Sequence, residues 1–296
     1  MHKSGFIGIL GKPNVGKSTL LNEIIGEKIA IATRKPQTTR NRITGVKTTE
    51  KGQFIFLDTP GIHHTRTPLN RLMVATSVST IEEVDIILFM TEANSDLNDD
   101  DHFIIKTLEG AKIPVILAIN KIDLIEKNSL LLRIDAIRHM LSFADIVPVS
   151  ALRGFNVGTL LDVIWNLLPE GPRYFPEDII TESSERFLAA EIIREKITLL
   201  TSQEIPYSSA VVVDSFREEE RKNLIHIQAT INVEKNSQKG IVIGVKGSML
   251  KRIGTQARLE MERFFAARIY LKLFVKVRKD WTRDSKMLLE FGYRKT

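Results

Sequence analysis

Gly11-Lys12-Pro13-Asn14-Val15-Gly16-Lys17-Ser18-Thr19 is the stretch from which the architecture of this chain can be worked out. It follows the apolar run Phe6-Ile7-Gly8-Ile9-Leu10 and leads into a helical pattern beginning near Thr19. Strand, glycine loop and helix in that order make a phosphate cradle of the Walker A type. Two glycines let the backbone turn its N–H groups inward, where consecutive amides can bond phosphate oxygens. The helix N-terminus adds the positive end of a dipole beneath them. Lys17 is placed to neutralise β- and γ-phosphates, and the Ser18 hydroxyl to be one ligand of a Mg²⁺ ion.

A second motif addresses the base. Asn120-Lys121-Ile122-Asp123 follows the apolar run 113–119, read as a buried strand. A buried Asp123 carboxylate can accept from guanine N1–H and the N2 amine together. Adenine lacks that donor pair and would leave the acid unpaired, which discriminates strongly. Asn120 is expected to tie this loop back to the phosphate loop, and the stem of Lys121 to cover the base. Between the two motifs, the strand Gln53-Phe54-Ile55-Phe56-Leu57 ends in Asp58-Thr59-Pro60-Gly61. Asp58 is expected to hold Mg²⁺ through a water, and the Gly61 N–H to touch the γ-phosphate, so the loop beyond it reads as a switch. Gln37-Thr38-Thr39-Arg40 offers a threonine hydroxyl as a further Mg²⁺ ligand; Thr39 is favoured over Thr38, which the sequence alone does not separate. Ser150-Ala151-Leu152, after the short strand 146–149, offers a backbone amide to guanine O6.

Five motifs in this order resemble the guanine-nucleotide-binding proteins built like Ras. The resemblance implies GTP and GDP as ligands, with Mg²⁺. One position departs from it. Ras-like proteins place a glutamine after the glycine of the third motif to orient the attacking water, and here that residue is Ile62. Hydrolysis must then rest on backbone, Mg²⁺, a monovalent cation or a partner. Similarity to GTPases with a hydrophobic residue at this position implies that Asn14 holds K⁺; the plain alternative is that Asn14 only shapes the loop. Lys17, Asn14, Thr39 and Gly61 are the candidate catalytic groups. His63 and His64, adjacent on a polar loop, read as solvated and take no role.

Strand-like runs at 5–10, 53–58, 84–90, 113–119 and 146–149 are separated by segments long enough for crossover helices, with 43–49 as an antiparallel edge. That pattern predicts a doubly wound, mostly parallel sheet whose motifs all fall at the carboxyl ends of strands. Pro169, Gly171, Pro172 and Pro176 then break the periodicity and mark an extended linker. The expected organisation is a nucleotide domain over 1–168, a linker over 169–185 and a second domain over 186–296. No run approaches the roughly 18–20 apolar residues that span a bilayer, the N-terminus leaves no room for a signal peptide, and the chain has no cysteine. A cytoplasmic monomer is expected. Charge is uneven: residues 235–296 hold 16 Lys+Arg against 5 Asp+Glu, while residues 1–234 hold 26 against 31. A mildly acidic body with a strongly basic tail points to a polyanionic partner.

Beyond the linker, Ala189, Ile193, Ile197 and Leu200 fall on one helical face. Two β-rich stretches, 208–216 and 224–233, flank the charged turn 217–222. Next come Gly244-Val245-Lys246-Gly247, a helix presenting Ala257, Met261, Phe264 and Phe265, and the alternating strand 269–277. The order αββααβ with a GxxG turn resembles a type II KH domain. In that α+β module the glycines admit an RNA backbone and about four nucleotides lie in the adjoining groove. Lys246, Lys251 and Arg252 are the expected phosphate partners. The phenylalanines read as core, and Trp281, near the basic extension, is the only hint of stacking. Joined to the Ras-like domain, this module resembles the Era family over essentially the whole chain. That resemblance implies a bacterial GTPase whose KH domain binds the 3′ end of 16S ribosomal RNA and assists small-subunit maturation, with peripheral association at the inner membrane face. Two other readings stay open: a constitutive RNA binder with structural nucleotide, and a GTPase whose basic tail meets anionic lipid.

Overall fold

The computed structural model describes residues 2–293 except 34, 64 and 66. They form two compact units, dividing between Glu182 and Ser183, with the short stretch 67–69 grouped in the second. The division falls inside the expected 169–185 linker. No helix among the described residues is long and apolar enough to cross a membrane.

The first unit runs β1 (Lys3–Leu10), α1 (Lys17–Ile25), β2 (Ile43–Thr48), β3 (Gly52–Asp58), α2 (Pro68–Ser79), β4 (Ile86–Glu92), α3 (Asp99–Leu108), β5 (Val115–Asn120), α4 (Lys127–Ile137), β6 (Asp145–Pro148) and α5 (Val157–Leu167). Its six-stranded sheet has the order β2-β3-β1-β4-β5-β6, with β2 antiparallel to β3 and all other neighbours parallel. Every side chain of β3 and β5 is buried. Burial on both faces explains why these strands are continuous apolar runs rather than alternating ones. Leu10, Ile55, Leu57, Ile87, Phe89, Leu117 and Ile119 pack on one face with Ile104, Ile105 and Leu108 of α3. The chain moves from β1 to β3 on one side and to β4 on the other, so strand order reverses around the end of β1. Ligands of doubly wound sheets bind at such a reversal, and Gly11–Thr19 sits there.

The segment after α5 is extended, as its prolines demand, yet it is bonded to the first unit. Lys3 and Glu170 form an isolated bridge. The Tyr174 and Phe175 amides donate to Gln53 Oε1 at 2.9 and 3.1 Å, and Gln53 Nε2 donates to the Phe175 carbonyl at 2.7 Å. Val46 N donates to Ile180 O at 2.8 Å, and Thr181 Oγ1 to Thr44 O at 2.6 Å, beside the edge strand β2. Composition marked a break in periodicity correctly; it carried no sign of the polar partners on β2 and β3.

The second unit runs α6 (Glu185–Leu200), α7 (Ile205–Ser208), β7 (Ala210–Glu219), β8 (Leu224–Val233), α8 (Asn236–Ile243), α9 (Ser248–Phe264), β9 (Arg268–Val277) and α10 (Ser285–Glu290). β8 is central, antiparallel to β7 and parallel to β9. Ala189, Ile193 and Ile197 of α6 pack on Ile227, Ala229 and Ile231 of β8, together with Ile253, Ala257 and Met261 of α9. Trp281 corrects an expectation. It is fully buried, stacks on Tyr293 at 5.8 Å and donates from its indole nitrogen to Ser208 O at 2.9 Å. A tryptophan in a basic tail can look like a stacking platform; here a buried carbonyl satisfies its N–H, and it anchors the C-terminal turn instead. The phenylalanines divide: Phe265 meets Phe216 edge-on in the core at 6.0 Å, whereas Phe274 is exposed.

Candidate nucleotide site and nucleic-acid groove

The phosphate loop is held by backbone geometry. Asn14 (φ 65°) and Gly16 (φ 103°) are left-handed, and a Cβ on Gly16 would collide with Asn120 Nδ2. Gly16 caps α1 without any side-chain hydrogen bond, which leaves the first-turn amides for an anion. The Lys17 ammonium folds onto the loop, donating to the Gly11 and Lys12 carbonyls at 3.1 Å each. Burial lowers the Lys17 pKa to about 8, against the opposing pull of Asp58. Lys12 is itself buried and paired with Asp101 of α3 at 2.7 Å, a contact the sequence did not signal. Asp101 also belongs to the capping box with Asn98, so its carboxylate serves a helix end and the loop together. Pro13 packs against residue 61, where a Cβ would come within 2.6 Å of Pro13 N. Val15 is fully buried, Asn14 is exposed at the loop tip, and Thr19 faces a cavity of about 290 Å³ that Ala151 and Leu152 also line.

Three oxygen donors converge beside the loop. Ser18 Oγ donates to Asp58 Oδ2 at 2.6 Å and lies 2.8 Å from Thr39 Oγ1. Thr38 points elsewhere, bonding Thr33 Oγ1 and the Lys35 carbonyl. Geometry therefore groups Thr39, not Thr38, with the other two. Asp58 is fully buried and its Oδ1 has no hydrogen-bond partner among the described residues. Burial pushes its pKa up to about 6 despite Lys17 and the hydrogen bonds from Ser18 and Thr39. An orphaned carboxylate oxygen beside two hydroxyls suits a hard, oxygen-loving divalent cation.

Asn120 Nδ2 donates to Val15 O at 2.7 Å, joining the base loop to the phosphate loop as expected. Its Oδ1 accepts from the Ala151 amide at 2.9 Å, so that amide braces the loop. Ser150 Oγ donates to Asp123 Oδ1 at 2.6 Å and orients the carboxylate. Asp123 is exposed rather than buried. Lys121, in left-handed conformation, is ion-paired with Glu92 at the end of β4. Ile62 lies wholly in the core, with its amide donating to Gly11 O at 3.2 Å; its side chain is packing, not chemistry. His63 bonds Gly61 O through Nδ1 at 2.9 Å, and His64 lies outside the described residues.

In the second unit, Gly244, Lys246 and Gly247 all have positive φ (73°, 51° and 78°). A Cβ on Gly244 would strike Met249 at 2.8 Å, whereas one on Gly247 would meet nothing within 4 Å. The turn thus needs its first glycine to close and presents its second to open space. Val245 and Lys246 project from it, exposed. An adjoining groove of about 400 Å³ is lined by Gly247, Leu250, Lys251, Gly254, Arg258 and Leu271, among others. Lys251 lines it; Arg252 is exposed beside it. Gly254 and Arg258 were missed, although they follow Lys251 at i+3 and i+7 on α9, the spacing of one helical face.

A family model described as a 50S ribosome-binding GTPase matches residues 6–121, and one described as a KH domain matches residues 204–282. The GTPase Era of Syntrophus aciditrophicus is 62% identical over 293 residues, 99% of this chain and 96% of that protein. This chain belongs to the Era family of GTPases. The Era of Geobacter metallireducens is 53% identical over 98% of both chains. An Aquifex aeolicus Era variant bound to GDP·AlF₄⁻ superposes with a TM-score of 0.95 at 42% identity, covering 98% of this chain and 99% of that one. An Era in complex with MgGDPNP and nucleotides 1506–1542 of 16S ribosomal RNA also reaches 0.95, at 43% identity and 99% of each chain. As an Era-family member the protein is a GTPase, producing GDP and phosphate from GTP. Its Ile62 places this Era chain among GTPases that hydrolyse without a glutamine following Gly61.

Proposed function

We propose that this GTPase is a nucleotide-gated RNA switch acting on the 3′ region of 16S ribosomal RNA during small-subunit maturation. One observation carries the reading: a single chain holds both the Ser18–Thr39–Asp58 oxygen cluster and a GxxG turn whose Gly247 opens onto a basic groove. The relative solved with MgGDPNP and 16S nucleotides supports it at 43% identity. In this reading Gly11–Thr19 cradle the phosphates, with Lys17 on the β- and γ-groups. Ser18, Thr39 and Asp58 would hold Mg²⁺, which supplies charge neutralisation on the phosphates. Asn120, Lys121 and Asp123 select guanine, with Ser150, Ala151 and Leu152 supporting them. Asn14, at the loop tip, is the residue we assign to a K⁺ ion that replaces an arginine finger. The base itself would cover the exposed Asp123 and restore the discrimination expected of a desolvated acid.

RNA contact falls to Gly244, Val245, Lys246, Gly247, Lys251 and Arg252. The test is the affinity of the full chain for a single-stranded RNA pool, with GDP and with a non-hydrolysable GTP analogue. Affinities differing by tenfold or more, about 1.4 kcal/mol, with both nearly abolished by Gly247→Asp, support the switch. Equal affinities in the two nucleotide states sink it.

A further inference from the structure

The outer face of the second unit's sheet carries a pattern that the groove does not use. β9 alternates strictly: Ile269, Leu271, Leu273, Val275 and Val277 pack toward the helices, while Arg268, Tyr270, Lys272, Phe274 and Lys276 are all exposed on the other face. Rings exposed singly are common on protein surfaces; here two share one strand face with three cations. Tyr270 is 57% exposed and Phe274 40% exposed. Beside them His226 of β8 pairs in register with Tyr270, ring centroids 5.5 Å apart, and Lys272 Nζ sits 5.1 Å above the Phe274 ring. The series is cation, ring, cation, ring, cation, with no acid on this strand. Same-face neighbours on a strand are about 6.6 Å apart. On the neighbouring β7, Asp214 is engaged by Thr230 and Glu219 by Lys222 and His226.

We propose that this face is a second RNA-binding surface, taking an extended single strand that leaves the GxxG groove over the β9 edge. Rings interleaved with cations are how sequence-tolerant single-strand binders hold bases and phosphates together. Continuity supports RNA over lipid. β9 is the edge strand, and it supplies Leu271 and Leu273 to the groove while its alternate residues form the outer row. A strand lying in the groove needs only to cross that edge to meet Tyr270 and Phe274. The inference rests on the RNA reading above and extends it.

The test uses the full-length protein with two single-stranded RNA pools, of about four nucleotides, the groove's own capacity, and of about sixteen. Tyr270→Ser with Phe274→Ser is expected to weaken the longer pool about tenfold or more and to leave the shorter within twofold. Tyr270→Phe, which keeps the ring, should retain binding. Lys272→Gln with Lys276→Gln should lower the salt slope for the longer pool by about 0.7 for each phosphate that is no longer neutralised, and it decides the matter if the serine variant does not fold. Unchanged affinity for the longer pool overturns the proposal. So does an equal loss for both pools, which would mean a disturbed groove. Loss of binding to phosphatidylglycerol vesicles with RNA binding intact reassigns the face to lipid and overturns it as well. A wild-type protein that binds neither pool would instead remove the underlying RNA reading.

Discussion

Asp58 shows how much one buried oxygen can determine. Its folded-state pKa of about 6 lies above the ordinary 3.8, with burial as the largest cause. A raised acid favours the folded state in its protonated form. That contribution is fully present below the ordinary value and is lost as pH rises through about 6. At about 1.4 kcal/mol per unit the penalty at pH 8 is of the order of 3 kcal/mol. Nucleotide-free protein is therefore expected to gain stability from Asp58→Asn at pH 8 and almost none at pH 4, measured by denaturant unfolding of both proteins. A gain that does not change with pH would refute the assignment of the burial cost to this carboxyl. Asp123 makes a different prediction. Ser150 holds its carboxylate in place, and if that carboxylate reads the base as proposed, Asp123→Asn should move preference from GTP toward xanthosine triphosphate, read by competition binding. Retained GTP selectivity would mean that another residue reads the base.

At the scale of elements, the extended segment after α5 is held by a side chain that a glance at β3 would assign to an ordinary strand. Gln53 is fully buried and spends all its capacity: two acceptor sites on Tyr174 N and Phe175 N, and two donors on Phe175 O and Thr48 Oγ1. Gln53→Leu removes the partner of three backbone groups on exposed Tyr174 and half-buried Phe175, where water replaces part of what is lost. At the net worth of one or two hydrogen bonds it should destabilise the first unit by about 1–2 kcal/mol. Amide hydrogen exchange at Tyr174 and Phe175 should accelerate together; unaltered protection there would show that the prolines alone order the segment. Gln53 also marks the limit of what the sequence discloses. The motifs at Gly11–Thr19, Asp58–Gly61 and Asn120–Asp123 were legible because each is a short local pattern: a tight turn needs its glycines, and a cation or a base needs a carboxylate at a fixed distance along the chain from a strand end. The Gln53 grip, the Lys12–Asp101 pair and the burial of Trp281 depend on partners 122, 89 and 73 residues away, respectively. No local pattern reports them. Phe274 failed for a related reason. Alternation on β9 placed it on a face, but whether that face is covered is a property of the whole unit.

Across the whole molecule, the question is whether nucleotide and RNA share one free energy. If a GTP analogue strengthens RNA binding by some factor, linkage requires RNA to strengthen binding of that analogue by the same factor. The covalent connection between the two units runs through residues 169–182, in which Tyr174, Phe175, Ile180 and Thr181 are bonded to β2 and β3. Those strands connect the Thr39 loop to Asp58. Loosening that segment should therefore lower coupling without much change in either binding event alone. With Gln53→Leu, the affinity for GTP analogue without RNA, and for RNA with GDP, is expected to stay within about twofold of wild type. The cross-enhancement should fall toward one, since a ligand shifts an equilibrium only by its differential affinity for the two states. Titration calorimetry of the analogue, with and without saturating RNA, measures both sides of the cycle. Full enhancement in the variant would show that the coupling does not depend on how this segment is held to β2 and β3, and it would have to be sought in the Gly61 loop and the residues that follow it.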